Sequence, residues 1–209
     1  MTNTITKIFA IAIVFILSGC AASYKPIYPV SLNYDSHQSE DGVELSYKYD
    51  VLRQNGNKKY AKKEDKKGVK LVALKITNNT QSVVNIGKNL TLYSGNNQIR
   101  PMEPMVIKES IKQIVPGYLP YLLLTFVNLT TTKEQNGMTE QNVIPIGLVL
   151  GPGITVGNML IAGDANTKLL DELRLYNLIG RDIKPGETVY GIIGVRDIGY
   201  SPITVEVTE

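Results

Sequence analysis

The sequence predicts a mainly β chain, an antiparallel sandwich interrupted by an apolar, partly helical insertion. Three observations predict it. Val43, Leu45, Tyr47, Tyr49 and Val51 alternate with Glu44, Ser46, Lys48 and Asp50, the period of two that marks a half-buried strand. Residues 69–77 are apolar on both alternating faces, as in a strand covered on both sides. Clusters of Asn, Gly and Pro then punctuate seven or so short runs of this kind, the spacing of a sandwich. The 209 residues are 43% hydrophobic and 20% charged, with 18 Gly and 10 Pro. With a mean hydropathy of −0.04, they supply a core for one large domain or two small ones. That excludes wholesale disorder and a collagen-like chain. One cysteine excludes an intrachain disulfide, and a net charge of +3 does not by itself indicate nucleic acid.

Taken in chain order, residues 1–7 are polar and end in Lys7, residues 8–17 are apolar, and Leu17-Ser18-Gly19-Cys20 follows. Ten apolar residues at about 1.5 Å each reach halfway across a bilayer core, so this is a cleaved signal peptide rather than a spanning helix. The last four residues resemble the lipobox of bacterial lipoproteins. The resemblance implies removal of residues 1–19 and acylation of the Cys20 thiol and the new N-terminus by fatty chains of the palmitate type. Two or three chains make attachment stable where one is marginal. By resemblance to lipoprotein sorting in diderm bacteria, Ala21 in place of an aspartate after the cysteine implies the outer membrane, facing the periplasm. That covalent lipid on Cys20 is the one cofactor expected. Residues 20–41, with Pro26, Pro29 and several Ser and Tyr in no period, read as a lipidated tether that ends near His37, an exposed loop histidine.

Residues 42–209 form the predicted sandwich domain. Residues 42–54 give the first strand and 69–77 the central one. Asn78-Asn79-Thr80 turns the chain into strands at 83–86 and 90–93, and Ser94-Gly95-Asn96-Asn97 turns it again before 98–102. At the far end Lys184-Pro185-Gly186-Glu187 feeds a strand at 188–195, and Pro202 precedes a last one at 203–207. The insertion spans 104–182. Within it residues 113–132 hold no charge in 20 positions and residues 141–163 none in 23. Both are long enough to cross a membrane, with the polar segment 133–140 between them. Four prolines (Pro116, Pro120, Pro145, Pro152) and the glycines of the second stretch oppose a lipid-exposed span, so these stretches are expected to pack on the sandwich or lie shallowly on the membrane. An inserted hairpin over 113–163 is the alternative. Gly147-xxx-Gly151 and Gly153-xxx-Gly157 have the spacing of close helix contacts, although beside Pro152 they also read as an irregular turn. Asn166 or Thr167 starts a helix to Ile179 with Leu169, Leu170, Leu173 and Tyr176 on one face and Gly180 as its stop.

The strand, Asn-Asn-Thr turn, paired strands and Gly-Asn turn of residues 74–101, with Ile183-Lys-Pro-Gly-Glu-Thr-Val-Tyr-Gly191 and the closing Ile203-Thr-Val-Glu-Val207, resemble the telokin-like, immunoglobulin-fold domains of bacterial lipoproteins. There a Pro-Gly-Glu turn precedes the next-to-last strand. The resemblance covers about half of the chain after residue 19. It implies an immunoglobulin-like β-sandwich outside the cytoplasm and brings no catalytic residues with it.

No catalytic set emerges from the residues themselves. Residues 151–157, Gly-Pro-Gly-Ile-Thr-Val-Gly, lack the Lys-Ser/Thr ending and the strand–helix context of a phosphate loop. One histidine and one acylated cysteine provide neither a metal site nor a nucleophile. The neighbouring acids Glu40-Asp41, Glu64-Asp65 and Asp171-Glu172 diverge on any regular element. The chain therefore reads as a non-enzymatic binding or structural protein at a membrane surface; a membrane-inserting component is the second reading and a cell-wall hydrolase the third. One segment stands out in charge. Arg53, Lys58, Lys59, Lys62, Lys63, Lys66, Lys67 and Lys70 face only Glu64 and Asp65, giving +6 in 18 positions, while the rest of the chain after residue 19 sums to −4. Asn55-Gly56-Asn57 and Gly68 read as the ends of a solvated hairpin loop. Its lysines, Lys58, Lys59, Lys62, Lys63, Lys66 and Lys67, are candidates for contact with anionic lipid or an acidic protein partner. Nucleic acid is not expected, since Tyr60 alone offers stacking.

Overall fold

A computed structural model describes residues 19–135, 137–196 and 199–208; the predicted signal peptide lies outside them except for Gly19. The chain divides into two compact units. Unit 1 holds residues up to Ser23 together with Ile114–Asp164, and unit 2 holds Tyr24–Gln113 and the residues from Ala165 onward. The apolar insertion is thus a unit of its own over 114–164, narrower than the 104–182 expected.

Unit 2 is built on antiparallel pairing. Strands β1 (Ser36–Glu40), β2 (Val43–Lys48), β3 (Val69–Asn78) and β10 (Thr188–Arg196) form one sheet in the order β1-β2-β3-β10. Strands β5 (Leu90–Ser94), β6 (Asn97–Ile99) and β11 (Ile203–Val207) form a second, with β11 and β6 flanking β5. A short pair, β4 (Val84–Asn85) with β9 (Asp182–Ile183), completes this body. The fold is nonetheless less purely β than expected, because helices occupy about as much of the chain as strands.

The two-sided pattern of β3 is explained by its position. Val72, Leu74 and Ile76 are packed with Leu45, Leu92, Ile193 and Val205 between the two sheets. Val69, Leu71 and Ala73 point the other way, into a second core with Leu52, Tyr60, Ile107, Leu169 and Leu173. Helices cover that face: α1 (Val51–Gln54), α2 (Lys58–Lys67), α3 (Pro104–Ile111) and the C-terminal part of α4 (Gly147–Leu175). The strand expected over 42–54 accordingly ends at Lys48, where Asp50 at φ 55° turns the chain into α1.

Two turns read separately from the sequence prove to be bonded to each other. The Asn78 carbonyl accepts the Gly186 N–H at 2.7 Å, and the Glu187 carbonyl accepts that of Asn78 at 3.0 Å. Gly186 sits at φ 75°, a region open to glycine at no steric cost. The Glu187 carboxylate caps its own turn by accepting the Lys184 N–H.

Unit 1 consists of residues 19–23, a 3-10 segment Val115–Phe126, the antiparallel hairpin β7 (Leu129–Gln135) and β8 (Met138–Ile144), and α4 up to Asp164. The polar segment expected between two apolar stretches is the tip of this hairpin, with Gly137 at φ 75°. The helix expected from residue 166 in fact begins at Gly147. The Gly and Pro read as breakers are accommodated because Gly147 and Gly151 seat a neighbouring strand of chain: a Cβ on Gly147 would stand 2.1 Å from the Leu124 carbonyl oxygen, and one on Gly151 2.4 Å from Thr125 Oγ1.

Candidate functional site

The lysine segment is a helix, not the solvated loop read from its flanking Asn and Gly. The four-residue recurrence of the lysine pairs is the reason. Asn57, Tyr60, Ala61 and Glu64 form one buried stripe, which leaves Lys58, Lys62 and Lys66 exposed on the far side. Gly68, at φ 61°, returns its N–H to the Glu64 carbonyl as a left-handed C-cap. All six predicted lysines lie on α2. Lys63 donates to the Lys112 carbonyl at the end of α3, and burial, then the charges of Lys67, Lys59 and Lys112, pull its ammonium below its ordinary value.

The two acids of α2 do not neutralise this face. Asp65 is taken up from outside the helix by Arg53 and by Lys70 at 3.2 Å. These bonds, that of Lys70 first, hold its carboxyl below the usual range. Glu64 is buried, and its Oε1 accepts the Leu71 N–H at 2.6 Å. Burial raises this carboxyl to about 7, against the pull of that hydrogen bond. Among the described residues no ion pair includes Lys58, Lys62, Lys66 or Lys67.

The expected tether is largely ordered chain. Tyr24 and Ile27 are buried. Asn57 binds Lys25 at both backbone groups, its Oδ1 accepting the Lys25 N–H at 2.9 Å and its Nδ2 donating to the Lys25 carbonyl at 2.7 Å. The Tyr24 ring meets that of Tyr60 edge-on, with centroids 5.6 Å apart. His37 lies on β1, its Nδ1 3.1 Å from Ser46 Oγ, and not in a loop. Asn55 and Asn57 were read as turn residues; their side chains hold the incoming segment, a role no local pattern encodes.

Cys20 belongs to unit 1 and is half-buried. Next to it, Ala21 donates its N–H to Asn158 Oδ1 on α4. Tyr118 and Tyr121 are stacked with centroids 6.3 Å apart, and burial is the first cause that raises both hydroxyls above their ordinary value. The surface of this unit is strongly apolar. Among the described residues, 15 of the 22 exposed large hydrophobic side chains lie in unit 1, among them Phe126 at 81%, Val149 at 77% and Leu160 at 69% exposure. Val149, Val156 and Leu160 recur on one flank of α4 beside Gly153 and Gly157, where a Cβ would meet nothing within 4 Å. Helix α4 is long and apolar enough to cross a membrane.

Comparison with protein-family models, curated proteins and solved structures returns no match. Among the described residues, no group of three or more His, Cys, Asp or Glu is placed to hold a metal ion. A cavity of about 440 Å³ in unit 2 is lined by Arg100 and Arg196 with Ser94, Asn97, Gln98 and Ser201, which supply hydrogen bonds and positive charge but no nucleophile–base pair.

Proposed function

We propose that this chain is a lipid-anchored protein of the cell envelope with a binding or structural, non-catalytic role at a membrane surface. It is acylated at Cys20, held at the outer membrane and facing the periplasm, and unit 1 rests in the lipid interface. The observation that carries the reading is the coincidence, in one compact unit, of the lipobox-like cysteine and the exposed apolar side chains. Exposed apolar surface on this scale marks contact with lipid or a partner rather than with water, and the acyl chains of Cys20 would bring lipid to it. In the same reading the two sheets of unit 2, with the Pro-Gly-Glu turn before the next-to-last strand, are an immunoglobulin-like sandwich carried at the membrane.

Shallow contact is favoured over a span by α4 itself. Although the whole helix has the length and composition of a span, its uncharged part, residues 147–163, covers about 25 Å at 1.5 Å per residue, against a core of about 30 Å. Beyond it Ala165, Leu169 and Leu173 are buried in the core of unit 2.

Membrane fractionation tests the proposal. The protein should sediment with membranes, and the mass of its N-terminal peptide should show acylated Cys20. A Cys20→Ser chain exported behind a secretory signal of the non-lipoprotein kind should be recovered in the soluble fraction after carbonate washing. Carbonate-resistant membrane association of that variant would overturn the shallow reading in favour of an inserted hairpin over residues 113–163. An unacylated wild-type Cys20 would overturn the anchor.

A further inference from the structure

We infer that the lysine face of α2 is a second membrane contact, electrostatic in nature, for phosphate-bearing anionic lipid headgroups. The inference rests on the lipid anchor proposed above and names a partner for the surface beside it. Its first support is the arrangement of charge. Lys58, Lys62 and Lys66 form a row about 12 Å long at 1.5 Å per residue, exposed on the side opposite the stripe of Tyr60, Ala61 and Glu64. The acids that face α2 are spent elsewhere. Asp65 is bound by Arg53 and Lys70, Asp50 accepts the Tyr200 hydroxyl beside Lys70, and Glu109 lies between Lys108 and Lys112.

The second support is covalent reach. Cys20 precedes Tyr24 by four residues, so its Cα lies within about 14 Å of that of Tyr24 wherever unit 1 is placed. Tyr24 is fixed on α2 by its ring contact with Tyr60 and by the two bonds between Asn57 and Lys25. The acylated cysteine is therefore leashed to the base of the lysine helix. The leash keeps the helix near the lipid surface, where lysines that come within a screening length, about 10 Å at 0.1 M salt, feel its charge. An acidic protein would have no such reason to be met here, which decides between the two anionic partners.

Amine labelling of the full acylated protein in vesicles tests the inference. In vesicles with 30 mol% phosphatidylglycerol at low salt, Lys58, Lys62 and Lys66 should react several-fold more slowly than in pure phosphatidylcholine, with the difference abolished by 0.5 M NaCl. Lys184, more than a hundred residues beyond α2 in the chain, should react equally in both. Equal labelling of the α2 lysines in the two vesicles overturns the inference, and protection seen in intact envelopes but not in anionic vesicles overturns it in favour of an acidic protein. A second measurement does not depend on the anchor. The Cys20→Ser chain should bind anionic vesicles, and Lys58→Gln with Lys62→Gln and Lys66→Gln should weaken that binding about a hundredfold, at about fivefold per lysine. Salt-insensitive binding, or binding unaltered by the triple substitution, overturns the inference even if the anchor stands. An unacylated Cys20 with intact salt-sensitive binding would remove the anchor and leave the lysine contact.

Discussion

Glu172 on α4 grips the segment that follows Cys20: its Oε2 accepts the Tyr24 hydroxyl at 2.5 Å, while its Oε1 accepts the backbone N–H groups of Ile27 at 2.7 Å and Tyr28 at 2.9 Å. One carboxylate thus satisfies three donors across 148 residues of chain. Burial, and then this carboxylate, drive the Tyr24 hydroxyl well above its ordinary range, so it remains a donor at any physiological pH. With Asn57 on the other side, Glu172 converts what composition presents as a flexible leader into a fixed strap over the second core of unit 2.

Removing that grip should be costly. Glu172→Ala leaves the buried N–H of Ile27, the part-buried N–H of Tyr28 and the Tyr24 hydroxyl without an acceptor, and we expect a loss of about 2–3 kcal/mol by denaturant unfolding. Proteolytic cleavage between residues 24 and 35 should quicken as well. Glu172→Gln keeps one carbonyl oxygen for the N–H groups and should lose less than half as much. Equal losses from the two substitutions would show that charge, rather than the hydrogen-bond pattern, holds the strap.

Glu64 makes stability depend on pH in a defined direction. Its carboxyl titrates near 7 in the fold against an ordinary value of 4.5. The folded chain therefore retains a proton that the unfolded chain has lost. A raised acid stabilises fully below the unfolded value and loses that contribution as pH rises through the folded one. Stability should fall between about pH 4.5 and 7 by up to about 3 kcal/mol from this group. Glu64→Gln, which can still accept the Leu71 N–H, should flatten that slope and be the more stable protein at pH 8. Parallel melting-temperature profiles for the two proteins from pH 4.5 to 8 would refute the assignment.

How much of this was legible in the sequence depends on whether the determinant was local. The alternation through Val43, Leu45 and Tyr47 and the double-sided run through Leu71, Val72 and Leu74 report the layers above and below them, and both were readable. So were the Asn78 and Gly186 turns. The lysine segment was misread because Asn55-Gly56-Asn57 carries a strong turn signal whose cause is tertiary: those amides hold residues 25 and 26. The start of α4 was missed for a similar reason. Glycine is a helix breaker by propensity, yet Gly147 and Gly151 are required by the close approach of Leu124 and Thr125. Of the candidate sites, the lysines and Cys20 were found by residue type, while Glu172, Glu64 and Asn57 gave no signal, since each acts on backbone distant in sequence.

The two Gly-xxx-Gly pairs should therefore behave oppositely. Gly147→Ala or Gly151→Ala drives a methyl into backbone or Thr125 at under 3 Å and should destabilise by about 1–3 kcal/mol, the range for overpacking. Gly153→Ala and Gly157→Ala meet nothing and remove helix-interior glycines, which should leave stability equal or raise it by about 0.5–1 kcal/mol. Circular-dichroism melts of the four variants read the contrast directly. A loss of stability at Gly157→Ala that depends on protein concentration would instead reveal a helix–helix seam between copies.

The apolar flank of unit 1 has a signature distinct from that of the lysine helix. Exposed side chains such as Phe126, Val149 and Leu160 have little packing to lose, so replacing all three with Ser should shift the unfolding free energy by under about 1 kcal/mol. Entry of such side chains into lipid is favourable by about 1.5–3 kcal/mol each when complete. The triple substitution in the Cys20→Ser chain should accordingly lower partition into phosphatidylcholine vesicles at least a hundredfold, with the same loss at low and high salt because no charge is involved. Val83, Met105 and Val106, exposed at 44–46% and in unit 2, serve as the control and should leave partition unchanged when replaced. If the unit 2 replacements weaken partition as much as those of unit 1, the contact is a general consequence of surface hydrophobicity and unit 1 is not the membrane-facing part. If only the unit 1 replacements act, salt-insensitive insertion by Phe126, Val149 and Leu160 and salt-sensitive attraction by Lys58, Lys62 and Lys66 become two separable contributions to one attachment.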